Sequence, residues 1–311
     1  MHLQRTVKRT IALEGLGLHT GKKIRMSIQP APADHGIVFV RSDLPRGTRI
    51  PARLEFVVDT TLATTLGKEG TVVSTVEHLM SALFGTGVDN ALVEVEGPEI
   101  PILDGSAAPF VRLIRSAGIA VQPRPRRYLV IQSPFSVCDG DRWVSLLPCP
   151  DFMISFGIEF DHPAIGSQFL KFRLSEQDYD REISGARTFG FLRDVEAMKA
   201  QGYALGGSLE NALVLDDTKV VNSEGLRYQD EFVRHKVLDS VGDLSLTGCR
   251  LLAHFVAHKA GHSLNHRLLK KLMDSPRGWK ILSASRLEHA EAVYPHPSTQ
   301  AEPWERVPAT A

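Results

Sequence analysis

Polar and apolar positions alternate first with the period of a strand and then with that of a helix, and the sequence does this twice along its length. Residues 23–29 (Lys-Ile-Arg-Met-Ser-Ile-Gln) alternate polar and apolar, and Ile37–Val40 does so less regularly, as expected of strands with one buried face. Thr71–Val73 reads as a further strand. From Thr75 to Phe84 the residues Val76, Leu79, Met80, Leu83 and Phe84 fall at i, i+3, i+4, i+7 and i+8, which predicts an amphipathic helix. Gly85 and Gly87 end it. Ala91–Glu96 alternates as a strand, and Ala107–Ala117 reads as a second helix.

Gln122-Pro-Arg-Pro-Arg-Arg127 interrupts the pattern. Two prolines among charged residues suit a linker rather than a core element. Strands resume at Tyr128–Gln132, Trp143–Leu147 and Met153–Phe160. A helical run covers Glu231–Leu246, followed by a strand, Arg250–Val256, and a helix, Leu264–Met273. Each half sets strands before helices, the order of an α+β fold rather than of βαβ alternation. The halves read as structural relatives without a residue-level repeat. The expected organisation is an N-terminal α+β domain (1–122), a linker (123–127), a C-terminal α+β domain (128–284) and a tail (285–311). With Pro295, Pro297, Pro303 and Pro308, the tail is expected to be mobile or loosely docked.

Composition narrows the function classes. Of 311 residues, 43% are apolar and 23% charged, enough apolar material for a real core, so disorder of the whole chain is excluded. Lys+Arg and Asp+Glu number 36 each, so there is no net field for gripping nucleic acid or anionic lipid. No apolar run approaches ~18 residues, and the expectation is no transmembrane segment. The start, Met1-His2-Leu3-Gln4-Arg5-Thr6, shows no signal peptide. Cys138, Cys149 and Cys249 lack CxxC spacing, which argues against a disulfide framework or a thiolate metal site and fits a reducing cytoplasm. The twelve histidines are the unusual feature, because several fall close together.

On the 231–246 helix, Val233, Val237, Val241 and Leu244 gather on one side, while His235, Asp239 and Asp243 fall at i, i+4 and i+8 on the other. His and Asp one turn apart can reach a single metal ion; equally, they can form a paired row on a solvated surface. On this helix alone the surface row is the readier reading. On the 75–84 helix the apolar stripe leaves His78 opposite and Glu77 at its flank. Ser74-Thr75-Val76-Glu77 matches a capping box, so Glu77 has a structural reading, and His78 has one as an exposed histidine. The functional reading makes His78 a third ligand and Glu77 a base beside it. His78, His235 and Asp239 supply the three protein ligands of a catalytic zinc site with one position left for water.

His254, His258, His262 and His266 are spaced by four throughout, but Leu251–Val256 is strand-like and Gly261 breaks the run. Four residues of strand span roughly 13 Å, too far for His254 and His258 to share an ion. His262, at a glycine-marked loop-to-helix junction, suits an active-site side chain; His266 reads as helix surface. Gly15-Leu-Gly-Leu-His-Thr-Gly21 lacks the Lys-Ser/Thr ending of a phosphate loop and reads as a tight turn. Ile102–Ser106 reads as a turn into the following helix, and Asp216-Asp217 as a turn after Ala212–Leu215. Arg187-Thr188-Phe189-Gly190-Phe191 offers a hydroxyl beside aromatic residues, with core packing as the plain alternative.

Taken together, several blocks resemble the UDP-3-O-acyl-N-acetylglucosamine deacetylases, zinc hydrolases of bacterial lipid A synthesis. They are Gly15-Leu-Gly-Leu-His-Thr-Gly-Lys22, Ser74-Thr-Val-Glu-His-Leu79, Pro98-Glu-Ile-Pro-Ile-Leu-Asp-Gly-Ser-Ala-Ala-Pro-Phe110, Ala186-Arg-Thr-Phe-Gly-Phe191, Asp230-Glu-Phe-Val-Arg-His-Lys236 with Asp239 and Asp243, and Gly261-His262. The resemblance covers about residues 3–275. It implies two similar α+β domains, each a sheet layered against helices, with the active site at their interface. It implies one zinc ion per chain on His78, His235 and Asp239, the set the spacing had suggested. It implies Glu77 as base, His262 as acid oriented by Asp243, and Thr188 and Lys236 stabilising charge.

For the substrate, an acylated UDP-sugar, it implies an acyl channel in an insert at about 188–215, matching Phe191, Val195, Ala212 and Val214. A nucleotide site matches Phe160, Arg142 and Lys259, and Phe189 is a further substrate-binding residue. Ala63 stands where many members carry cysteine, Ala204 replaces a cysteine of some relatives, and His266 stands where asparagine is common. In some relatives turnover is regulated by proteolysis through the C-terminus; nothing in this sequence carries such a signal, and regulated turnover is an expectation from the resemblance alone. Two further readings stay open: a zinc deacetylase of another N-acetylated sugar, and a non-catalytic nucleotide-sugar-binding protein on the same scaffold. The pairing of Glu77 with His262 argues against the second, since a binding module needs no acid and base together.

Overall fold

The computed structural model describes residues 2–45 and 47–287. Its architecture is α+β. The first stretch contains β1 (Leu3–Val7), β2 (Ile11–Leu16), β3 (Lys23–Pro30), β4 (Ile37–Arg41), β5 (Arg49–Pro51), β6 (Val57–Asp59), β7 (Thr65–Lys68) and β8 (Thr71–Val73) before helix α1 (Glu77–Gly85); β9 (Ala91–Glu96) and α2 (Ala108–Ala117) follow. Five strands form a sheet in the order β2-β3-β9-β4-β5, and β6-β7-β8 form a smaller one. Along β3, Ile24, Met26 and Ile28 point into the core while Lys23, Arg25 and Ser27 point away, as the period of two requires.

Then come β10 (Ile119–Pro125), β11 (Arg127–Ile131), β12 (Phe135–Asp139), β13 (Arg142–Pro148), β14 (Phe152–Phe160) and β15 (Gly166–Arg173). A one-turn helix α3 (Glu176–Asp178), β16 (Phe189–Phe191), α4 (Leu192–Ala200) and β17 (Leu213–Leu215) lead to the long helix α5 (Glu231–Ser245). The chain continues through β18 (Arg250–His258), α6 (His262–Met273), β19 (Trp279–Ser283) and α7 (Ala284–Leu287). The second sheet runs β12-β13-β18-β11-β19, with β14 on β18 and β15 on β14.

Helices α1 and α5 are not surface helices. All nine residues of α1 and thirteen of the fifteen in α5 are buried, because the helices pack on each other. Apolar residues of both halves form one continuous core, from Val7 to Leu272. The apolar stripes read from the sequence face this core. The rows expected to face solvent face the other helix.

Three local expectations change. Helix α1 begins at Glu77 rather than Thr75, and the capping box does not form: the N-cap is Val76 without a side-chain cap. Thr75 instead adopts φ +57°, and the Glu77 side chain is drawn to Thr64. The segment expected as a linker is a strand as far as Pro125. Its register with β1 is irregular, and prolines are tolerated there because the ribbon has only two strands. Arg126 after it is buried and ion-paired to Asp89, Nε to Oδ2 2.8 Å. The tail expected from residue 285 starts as helix α7, whose Ala284 and Leu287 pack on Tyr128 and Val130; residues 288–311 lie outside the described residues. We propose the division at 122 and 128 as one of folding units, since each large sheet draws its strands from one side of it. Among the described residues no helix is long and apolar enough to cross a membrane.

Candidate metal centre and catalytic groups

Helices α1 and α5 cross so closely that a Cβ on Gly242 would lie 2.1 Å from the carbonyl oxygen of Glu77. This approach brings the polar rows of the two helices together. His78 from α1, with His235 and Asp239 one turn apart on α5, each offer a ligand atom, and those atoms lie within 4.8 Å of one another. All three residues are buried. Asp239 Oδ1 is 3.5 Å from Nε2 of His78 and 3.3 Å from Nε2 of His235. The two rings are edge-on, with centroids 5.0 Å apart. Nδ1 of His235 donates to the carbonyl of Ala186 at 3.1 Å, which leaves its Nε2 lone pair toward the cluster.

This donor set fits a divalent cation. Oδ1 of Asp239, which faces the Nε2 atoms of both histidines, is buried without a hydrogen-bond partner, an arrangement that costs free energy unless something satisfies it. Burial, outweighing the neighbouring carboxylate of Asp239, holds His235 well below an ordinary imidazole pKa, so it is neutral. For Asp239 burial opposes ionisation, but His235 and Lys236 hold its carboxyl well below the usual range. Neutral imidazole and ionised carboxylate are the forms that bind metal.

Glu77, first residue of α1, accepts from the backbone N–H of Thr64 at Oε2, 3.0 Å. Its burial raises the carboxyl pKa against the pull of His262 and His78. His262 opens α6, and its Nδ1 donates to Asp243 Oδ2 at 2.8 Å. Burial works against the imidazolium, but the charge and hydrogen bond of Asp243, joined by Glu77 and Asp239, push it up to about 10. Asp243 is held on both oxygens: the Thr64 hydroxyl donates to Oδ1 at 2.6 Å, and the Asn265 amide joins His262 at Oδ2 at 2.9 Å. A small void lies beside these groups, where Leu54, Val57, Leu246 and Leu269 join Thr60, Thr64, Asp243, His262 and His266.

Other expected residues surround this centre at different removes. Lys236 Nζ lies 2.9 Å from Asp239 Oδ2 and 5.5 Å over the ring of Phe189. Thr188, half-buried two residues beyond Ala186, donates its N–H to the Gly105 carbonyl at 2.8 Å. The Phe189 ring lies 6.2 Å from that of His235 and 5.7 Å from Phe160, and Phe160 is 5.9 Å from Phe191. β16 and β17 pair in parallel with Phe189 opposite Leu213 and Gly190 opposite Val214. Ala212 and Val214 therefore share a face with Gly190, where an added Cβ would meet nothing within 4 Å, and Phe189 and Phe191 occupy the other face. Val195 is half-buried on α4, a helix with no buried residue. Arg142 pairs with Asp139, and Lys259 with Asp141 and Glu159.

Some sequence readings are settled differently. His78 is not an exposed histidine, and the His235/Asp239 row is not a solvated one. His254 is buried and bonds Ser155 at 2.8 Å, and His258 stacks on Trp143, so the spacing of four carries no common site. The turn at 15–21 is no phosphate cradle, because the N–H groups of His19 and Thr20 are given to the buried carboxylate of Glu99. Thr64, Asn265 and the Ala186 carbonyl escaped the sequence reading. Asn265, three residues after His262, shares its helix face and carried a signal; Thr64 carried none, being 179 residues from the aspartate it contacts.

Residues 4–274 match the family model described as LpxC, UDP-3-O-acyl N-acetylglycosamine deacetylase. Among curated proteins, the chain is 54% identical to the UDP-3-O-acyl-N-acetylglucosamine deacetylase of Myxococcus xanthus over 285 residues, covering 92% of this chain and 91% of the relative. The proteins of the same name from Syntrophus aciditrophicus and Citrifermentans bemidjiense are 50% and 52% identical. Each match spans 91% of this chain, and 90% and 92% of the relative, respectively. With the match running through both sheets and both central helices, the chain belongs to the UDP-3-O-acyl N-acetylglycosamine deacetylase family.

Proposed function

We propose that this chain is a zinc-dependent amidohydrolase that removes acetate from the 2-acetamido group of UDP-3-O-(3-hydroxyacyl)-N-acetylglucosamine, the committed step of lipid A biosynthesis. The observation that carries the proposal is the convergence of His78, His235 and Asp239 within 4.8 Å, beside a buried carboxylate and a charged imidazole. Those three residues would hold one zinc ion per chain. Bound there, zinc would lower the pKa of a water to about 7 and polarise the amide carbonyl.

The chain's own groups then divide the proton chemistry. Glu77 takes the proton of the attacking water; its raised pKa makes it a stronger base than an exposed carboxylate. The hydroxyl of Thr188 meets the oxyanion as the carbonyl carbon becomes tetrahedral. His262, charged at neutral pH, protonates the leaving amine, and Asp243 orients it. Lys236 keeps positive charge beside the reacting atoms.

On the substrate side, Phe160 and Phe189 border the sugar-nucleotide, and Arg142 and Lys259 meet its phosphates. Val195, Ala212 and Val214 wall the acyl chain along the open Gly190 face, with Phe191 at the edge shared with Phe160. The substrate is thus a small molecule rather than a nucleic acid. We place the reaction in the cytoplasm, which the three free cysteines favour. Protease-regulated turnover has no support within residues 2–287.

The test is acetate release from the acylated nucleotide sugar, with and without a chelator, and from the same sugar lacking the 3-O-acyl group. Chelator-sensitive release restored by zinc, and dependent on the acyl chain, is expected. Release that ignores the acyl chain would instead favour a deacetylase of another N-acetylated sugar, and no release at all would favour a binding protein.

A further inference from the structure

We propose that Thr64 is a positioning residue that fixes the proton acceptor and the proton donor of the reaction relative to each other; the inference rests on the roles given above to Glu77 and His262. Thr64 lies immediately before β7 and is 2% exposed. Each of its polar groups is committed. Its N–H donates to Glu77 Oε2 at 3.0 Å. Its carbonyl accepts from the N–H of Val76, the N-cap of α1, at 3.2 Å. Its hydroxyl donates to Asp243 Oδ1 at 2.6 Å. The backbone of Thr64 is therefore clamped to the first turn of α1, while its side chain reaches across to α5.

The hydroxyl has one proton and two neighbours, Asp243 and Nδ1 of His262 at 3.3 Å. Nδ1 carries its own proton, directed at Asp243 Oδ2, so it cannot accept. The hydroxyl proton goes to Asp243, and it is the one hydrogen bond to Oδ1 among the described residues. His262 and Asn265 occupy Oδ2. Without the hydroxyl, the carboxylate is held on one edge and can swing about it, carrying the His262 ring with it. Base and acid sit on helices from different halves of the chain, and no other residue contacts both Glu77 and Asp243 through hydrogen bonds among the described residues.

Thr64→Val preserves shape and the backbone contacts and removes only the hydroxyl. Steady-state kinetics with the acylated substrate should show kcat reduced about ten- to hundredfold, the range for losing a group that orients a catalytic one. KM and bound metal should be unchanged. Thr64→Ser, which restores the hydroxyl, should recover most of kcat. In an Asp243→Ala background, Thr64→Val should cost nothing further, because the hydroxyl acts only through that carboxylate. Wild-type kcat in Thr64→Val, a serine variant as impaired as the valine one, or losses that multiply in the double variant would each overturn the proposal. Should the valine variant not fold, the serine variant and Thr64→Ala carry the same comparison. A wild-type enzyme that released no acetate would instead remove the proposed function, a result distinct from an active wild type with an equally active Thr64→Val.

Discussion

Gly242→Ala tests the claim that the helix crossing builds the metal centre. The new methyl would lie 2.1 Å from the Glu77 carbonyl oxygen, 2.8 Å from its carbonyl carbon and 3.0 Å from its Cα. All are backbone atoms, so no side chain can turn aside. Cβ contacts under 3.0 Å essentially do not occur, and reaching that limit means parting the helices by about 0.9 Å. Overpacking of this kind costs about 1–3 kcal/mol. Alanine gains back roughly 1 kcal/mol of helix propensity, so the net loss of stability is modest. The metal site is affected more. His78 rides on one helix and His235 and Asp239 on the other, and metal–ligand distances tolerate only about 0.2 Å. The expected result is a metal affinity lowered at least tenfold, by chelator competition, with a melting temperature lowered by a few degrees. Unchanged affinity in a folded Gly242→Ala protein would refute the account of the crossing.

Asp239→Ala should purify without metal and without activity, whereas Glu77→Ala should keep its metal and lose about 10²–10⁴-fold in turnover; full activity in the latter would remove Glu77 from the role of base. The pH profile of kcat/KM should be bell-shaped. Activity rises as Glu77 loses its proton, above the ordinary carboxylate range, and falls as His262 loses its own, toward pH about 10; a bound dication draws both limbs lower without exchanging them. Asp243→Asn removes the main support of the His262 charge, so the alkaline limb should move to lower pH, and an unmoved limb would assign it to another group. If Lys259 meets the nucleotide phosphates as proposed, Lys259→Ala should raise KM several-fold and leave kcat alone, because the lysine would exchange Asp141 and Glu159 for them; a change confined to kcat would contradict that placement.

The α+β class and the principal elements were legible because their periods are local. Ala91–Glu96 alternates over six residues, and the observed strand has those bounds. The stripe of α5 is equally plain. Not only short pieces escape such a reading: β1, β2, β12, β15, β19 and helix α4 are five to nine residues long and are absent from it; β16 and β17 span three residues each, too few for a period to show, and each supplies the other's hydrogen bonds. The prolines at 123 and 125 suggest a linker because the pairing of β10 with β1 joins residues more than a hundred positions apart, which no local pattern shows.

The sequence by itself determined the side-chain inventory and its local phase: imidazole and carboxylate one turn apart at 235 and 239, Glu77 next to His78, His262 behind a glycine. A helix fixes such neighbours through its own backbone geometry. What lay opposite those faces was decided only by the tertiary structure. Solvent would have made the 235/239 row an ordinary ion pair. The packing of α1 against α5, permitted by the missing side chain of Gly242, buried it beside His78 and left Oδ1 of Asp239 without a partner. Burial and convergence depend on contacts between residues distant in sequence, and no local period records them.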